Sequence, residues 1–167
     1  CPGESKMSEL AKLNGDEALK MAIALEEQGL RFYQWAADQV EGATPVKMFM
    51  KFADDEREHA EVFQNMMDTQ EPLQPLFDEQ EAEAYLGALM ADTVFPDQCQ
   101  WDKWVESLHD PAAVVNYAIQ AEKDSIRLYT EMMIQAKVLD AKKTLRRIME
   151  EEKGHLRKLE RYLSTLS

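Results

Sequence analysis

Residues 22–33, AIALEEQGLRFY, return 96 positions later as AIQAEKDSIRLY (118–129), with Ala, Ile, Glu, Arg and Tyr in register. The same shift lays DDEREH (54–59) on EEEKGH (150–155), so Glu56 falls on Glu152 and His59 on His155. Glu26 precedes Glu56 by 30 residues, and Glu122 precedes Glu152 by the same 30. A long period carried by charged residues points to a fold built from two copies of one supersecondary unit.

Both copies read as helical hairpins. A capping-box-like start at Asn14 to Glu17 opens a first helix, whose apolar residues recur at helical spacing to about Gly42, where glycine permits a stop. Thr44-Pro45 is read as an N-cap followed by proline at the first helical position, opening a second helix to about Met67. Asp110-Pro111 repeats that signal for a third helix reaching about Val138, and Asp140 is read as the cap of a fourth ending near Leu163. The short connection inside each pair implies an antiparallel αα-hairpin. Between the pairs, residues 68–110 hold Pro72, Pro75, Pro96 and two short amphipathic stretches, EAEAYLGALMADTVF and QWDKWVESL. The expected fold is therefore all-α, a four-helix bundle of two antiparallel hairpins joined by a long crossover with short helices, over residues 14–167. Residues 1–13 are set apart as an N-terminal segment, disordered or appended, because the first six precede Met7, the earliest methionine.

Composition narrows the function. At 167 residues and 45% apolar content the chain can bury one domain's core. Against 32 acidic residues stand 19 Lys and Arg, a formal charge of −13 that argues against a nucleic-acid or anionic-membrane partner. No apolar run approaches the roughly 20 residues of a membrane span, and CPGESKMSEL has no hydrophobic signal core. The two cysteines, Cys1 and Cys99, form no CxxC, which removes a disulfide framework, a rubredoxin or zinc-ribbon knuckle and a thioredoxin motif, and makes a reducing, cytoplasmic setting the expectation. The acidic excess calls for another account, solubility or bound cations.

Glu-x-x-His puts its two side chains about 60° apart on one helical face, near enough to hold one ion or two neighbouring ions. One such motif is common in an acidic chain; two, each preceded at the same distance by another Glu, are not. Together they send four carboxylates and two imidazoles to the bundle axis, a ligand set for a pair of divalent iron or manganese ions. Bridging carboxylates keep two hard cations close, and a terminal imidazole on each leaves positions open for dioxygen or peroxide. Four buried Glu would be too costly without metal or protons to neutralise them. Bound divalent cations would bring the formal charge to about −9. Tyr33 follows Glu26, and Tyr129 follows Glu122, by seven residues or two turns, so each tyrosine is expected to hydrogen-bond a ligand carboxylate. Gly29 and Ser125 are matching small residues; a mid-helix Gly costs about 1 kcal/mol relative to Ala, which signals close helix approach or space beside the metals. Glu27, Asp55, Glu58 and Glu151 fall off the ligand face and are expected in solvent. Met66, Met67, Met132 and Met133 read as core filling, Trp101 and Trp104 as cover for the bundle, His109 as a loop residue, and Cys99 has no assigned role.

LEEQGLRFY, the two Glu-x-x-His motifs and the Glu122 to Tyr129 segment resemble the ferritin-like superfamily, specifically the rubrerythrin-type di-iron domain. The resemblance covers the four main helices. It implies Glu26, Glu56, His59, Glu122, Glu152 and His155 as metal ligands, with Glu56 and Glu152 bridging and Glu26 and Glu122 terminal. It further implies two iron ions per chain, with manganese or zinc as substitutes. Two departures matter. Full rubrerythrins carry a rubredoxin domain with paired CxxC knuckles, absent from this sequence, so an electron donor would be a separate protein. Rubrerythrin-type peroxidases also place an extra ligand Glu one turn after the third-helix ligand, where Ser125 stands here. A peroxide-driven exchange between that Glu and His loses its basis, and the symmetrical six-ligand set is closer to bacterioferritin-type sites. With the sequence ending at Ser167, the extra C-terminal helix of shell-forming relatives is not expected.

The expected function is that of a di-iron oxidoreductase of oxidative stress, reducing dioxygen or hydrogen peroxide as Fe(II) is oxidised, in a homodimer or small homo-oligomer without nucleic-acid or membrane partners. The alternatives are a protein that stores or traffics iron without turnover, and a helical interaction module whose site is vestigial or filled with zinc.

Overall fold

Apolar side chains spaced by three or four residues give each long helix one buried stripe. On the first helix Leu19, Ala22, Leu25, Phe32 and Ala36 form it; on the second, Phe49, Phe52, Ala53 and Phe63. The computed structural model describes residues 15–69, 101–108, 110–136 and 138–166. In chain order they form α1 (Gly15–Gln39), α2 (Ala43–Thr69), the short α3 (Trp101–Val105), α4 (Pro111–Gln135) and α5 (Leu139–Leu163), with no strand among the described residues. α1 packs along α2 and α4 along α5, and the two hairpins meet through α1 with α4 and α2 with α5. This is the expected all-α bundle of two hairpins. No helix among the described residues is long and apolar enough to cross a membrane.

The helix ends show which local signals prevailed. Asp110 is the N-cap of α4, accepting from the Ala113 amide at 2.8 Å, with Pro111 in the first turn. Thr44 does not cap α2. That helix begins at Ala43, and the Gly42 carbonyl accepts from the Val46 amide at 3.3 Å. Pro45 is tolerated inside the first turn because amides there lack helical partners anyway. Gly42 itself, at φ +100°, makes the turn between α1 and α2, so α1 ends at Gln39 rather than at the glycine. Asp140 is likewise no cap. Val138 occupies that position without a side-chain hydrogen bond, while Asp140 sits in the first turn of α5, 3.1 Å from Lys143, where its charge faces the positive helix end. α4 stops at Gln135, short of Val138, with Ala136 extended.

Of the crossover, QWDKWVESL supplies α3, and Trp104 packs on Tyr117 and Phe32 with ring centroids 4.3 and 5.9 Å apart. EAEAYLGALMADTVF, Cys99, His109 and the segment 1–13 lie outside the described residues. Met132 is fully buried, and Met66, Met67 and Met133 pack half-buried against the core.

Candidate metal centre

Among the described residues the buried charged or polar side chains are Glu26, Glu56, His59, Glu122, Glu152 and His155, none more than 5% exposed. The structure thus brings together all six residues singled out by the repeat. α1 and α4 each give one Glu from mid-helix, and α2 and α5 each give a Glu and the His one turn later. The imidazoles lie roughly parallel with centroids 6.4 Å apart. Each turns Nδ1 inward. His59 Nδ1 stands 3.0 Å from Glu152 Oε1, 3.5 Å from Glu26 Oε2 and 3.9 Å from Glu56 Oε2. His155 Nδ1 stands 3.1 Å from Glu152 Oε2, 3.3 Å from Glu122 Oε1 and 3.6 Å from Glu56 Oε1. Glu56 and Glu152 therefore offer one oxygen to each histidine, whereas Glu26 and Glu122 each face one.

The tyrosines cross between hairpins. Tyr33 on α1 donates to Glu122 on α4, and Tyr129 on α4 donates to Glu26 on α1. Each is tied to a site carboxylate, but to the one on the other hairpin and not to the one on its own helix face. Asp55, expected in solvent, is half-buried and corrects the sequence reading; Glu151 is exposed as expected, yet it too meets a ring nitrogen. The outer nitrogen of His155 lies 3.1 Å from Asp55 Oδ2, and that of His59 lies 2.7 Å from Glu151 Oε2. An inward Nδ1 forces Nε2 out on the far side of the ring, against the flank of the opposite hairpin, where these acids stand. Asp55 and Glu151 are also 96 residues apart, a signal available in the sequence. Glu27 and Glu58 are exposed.

Charge in this cluster is strongly perturbed. Burial lifts the Glu56 carboxyl well above its usual range, with the charges of Glu152 and Glu26 adding to it. Burial and then the Glu152 charge push Glu122 up to about 8. Burial would raise Glu152 too, but His155 and His59, one at each oxygen, outweigh it and hold this carboxyl at about 2. Burial opposes charge on the imidazoles, yet the surrounding carboxylates win and raise both above the ordinary histidine range: Glu152, Glu26 and Glu56 around His59, Asp55, Glu122 and Glu152 around His155. Burial, aided by the neighbouring carboxylates, keeps the Tyr33 and Tyr129 phenols protonated, as donors.

The donor set fits divalent metal. Glu26 Oε2, His59 Nδ1, Glu122 Oε2, both Glu152 oxygens and His155 Nδ1 are buried with no hydrogen-bond partner. They are offset only by ion-pair contacts with one another, and a buried polar atom without a hydrogen bond costs about 1–3 kcal/mol. Glu26, Glu56, His59 and Glu152 each offer one ligand atom within 4.8 Å of the others, and so do Glu56, Glu122, Glu152 and His155. Two four-ligand groups sharing two carboxylates is an arrangement that two hard cations can occupy together. Beside it, Gly29, Ser125, Tyr33, Glu56 and Glu122 enclose about 10 Å³, enough for one water-sized molecule.

Carboxylates and imidazoles buried at the centre of a four-helix bundle define the class of ferritin-like carboxylate proteins. A rubrerythrin family model matches residues 17–163, and the chain belongs to the rubrerythrin family. Its structure is similar to that of a Thermotoga maritima protein assigned to the ferritin-like diiron-carboxylate proteins, 32% identical over 93% of this chain and 98% of that one, with a TM-score of 0.71. A bacterioferritin-related protein from Bacteroides fragilis, a dodecameric thioferritin, is 21% identical over 90% of this chain and 84% of that one (TM-score 0.62). A hypothetical protein from Pyrococcus furiosus is 18% identical over 96% and 93% (TM-score 0.60). These last two support the fold alone. No curated protein sequence matches the chain.

Proposed function

We propose that Glu26, Glu56, His59, Glu122, Glu152 and His155 hold two iron ions, and that the chain is an oxidoreductase reducing dioxygen or hydrogen peroxide at the expense of Fe(II). The observation that carries this reading is the set of inward, hydrogen-bond-free ligand atoms in two groups that share Glu56 and Glu152. A pair of ferrous ions there would supply two electrons to one oxidant. The chain's own part is positional. Asp55 and Glu151 fix the imidazole rings with Nδ1 inward, and Tyr33 and Tyr129 orient the two unshared carboxylates. Protons on the imidazoles and on the raised carboxyls Glu56 and Glu122 leave when cations enter, so the interior keeps its charge balanced. The small space at Gly29 and Ser125 leaves room for one water-sized molecule beside Glu56 and Glu122. Return to the ferrous state requires an electron donor.

Anaerobic titration with Fe(II), followed by dioxygen or peroxide, is the test. Two irons bound per chain, then oxidised faster than free iron, are expected. Binding of two irons without faster oxidation overturns the redox reading in favour of iron handling, and failure to bind two overturns the site.

A further inference from the structure

A groove of about 610 Å³ lies at one end of the bundle, between the first turns of α2 and the last turns of α5. Met48 and Tyr162, both half-buried, contribute to its apolar floor, with Phe52 fully buried beneath; four cations line it (Lys47, Lys51, Lys158 and Arg161), and no acidic residue does. On a chain of formal charge −13 this gathering of cations stands out. Lys51 is engaged by Asp55, and the Lys158 ammonium lies 5.4 Å from the centroid of the Phe52 ring. Lys47 and Arg161 have no ion pair among the described residues.

The internal repeat supplies a control. Moved by 96 positions, Lys158 falls on Val62, Arg161 on Asn65 and Tyr162 on Met66, and these three line the equivalent groove, about 320 Å³, between the end of α2 and the start of α5. Among the described residues that groove carries no cation, and Asp140 is its one charged lining residue. Lys47 and Lys51 fall on Lys143 and Arg147, basic residues that do not line the second groove, so what sets the two concavities apart is Lys158 and Arg161, two cations that the fold does not require. Like charges gathered on an apolar floor repel one another unless an anion lies among them. An inorganic anion would leave the floor uncovered, and a neutral ligand would leave the cations unmatched.

We propose that this groove binds an organic anion with an aromatic body, its acidic group among Lys47, Lys158 and Arg161 and its rings on Met48 and Tyr162. The volume and the mixture of apolar wall with a few convergent charges are those of small-molecule sites. Phe52 also lies over the His155 ring, centroids 4.2 Å apart, so one aromatic side chain separates the groove from the buried cluster.

The test is a fluorescence titration of the whole chain with 8-anilinonaphthalene-1-sulfonate, beside N-phenyl-1-naphthylamine, the same rings without the sulfonate. Saturable one-to-one binding of the sulfonate is expected, at least about tenfold tighter than the amine and weakened by salt. The variant K158V/R161N gives this groove its counterpart's residues, and K20A/R146A removes two cations elsewhere; all four positions are exposed. The first is expected to lose at least about tenfold in affinity and the second to keep it. Equal binding of amine and sulfonate, or undiminished binding by K158V/R161N, overturns the proposal. Self-association of the unchanged chain that K158V/R161N abolishes, with no sulfonate bound, also overturns it, because the occupant is then a second copy.

Discussion

Around His155 the outer nitrogen meets Asp55, whose side chain is 15% exposed and also takes the Lys51 ammonium, while the Phe52 ring lies over the imidazole. Around His59 the outer partner is Glu151, 43% exposed, and the position equivalent to Phe52 is Ile148, which has no ring to stack. The inward faces repeat closely and the outward faces do not. Four carboxylates and two imidazoles fix the inner geometry by their mutual charge, so both halves must satisfy it. The outer partner needs only to hold a ring, and that can be done by a dry, doubly paired aspartate or by a wetter glutamate. The His155 half is therefore the more firmly held of the two.

Substitution at the shared carboxylates erases the distinction and has the largest effect. Glu152→Ala removes an oxygen from both histidines and is expected to reduce iron from two per chain to less than one by elemental analysis, with helicity retained by circular dichroism. Glu26→Gln and Glu122→Gln separate the halves, each leaving one ion. A result in which either Gln variant loses both ions would show that the two positions fill only together. Next comes the outer pair. Asp55→Asn is expected to weaken metal binding by about 10- to 100-fold, and Glu151→Gln by only about threefold, because an exposed partner is screened. Equal losses in competition with a chelator would remove the difference between the halves.

A smaller effect is expected in pH. Without bound cations, Glu122 titrates at about 8 in the folded chain against 4.5 ordinarily, and Glu56 and both imidazoles are raised as well. Groups raised in the folded state contribute stability that is full below their ordinary values and lost as pH climbs through the folded ones. Glu152, held low, works in the opposite sense, but below pH 4.5. The melting temperature of the chelated chain is therefore expected to fall between about pH 5 and pH 8, and Glu122→Gln to flatten that fall. An unchanged slope in this variant would move the titration away from the His155 half. Smallest is Gly29→Ala. The added Cβ would meet Glu56 Cγ and Cδ at 3.4 Å, an ordinary contact, and gain up to about 1 kcal/mol of helix propensity. It would fill the small space beside Glu56, so iron oxidation is expected to slow a few-fold while the metal-free chain melts higher. Ser125→Ala, which adds no bulk, should leave the rate unchanged.

Most of the bundle was readable because its signals are local. Helical spacing marks the buried stripes, and Asp110-Pro111 marks the start of α4. The six inward residues were readable because the repeat singles out charged side chains that could not otherwise be buried in pairs. What escaped was decided by the neighbouring hairpin. Asp55 and Glu151 look solvated on their own helices, and only the packing of α2 against α5 places each beside a ring nitrogen. The same holds for Tyr33 and Tyr129, whose face was evident but whose partner lies across the bundle. Thr44 and Asp140 misled as caps because one residue type serves both at a cap and within the first turn.

The crossed tyrosines have a consequence for assembly. Each hairpin completes a carboxylate belonging to the other, and each four-ligand group draws three residues from one hairpin and one from its mate. Sliding one hairpin past the other by a single turn, about 5.4 Å, would strand every one of these polar atoms in a dry interior. An all-apolar seam would tolerate such a slip far better. The buried cluster thus works as a registration key: it sets how the two halves of the repeat must mate, whatever chemistry it then carries out.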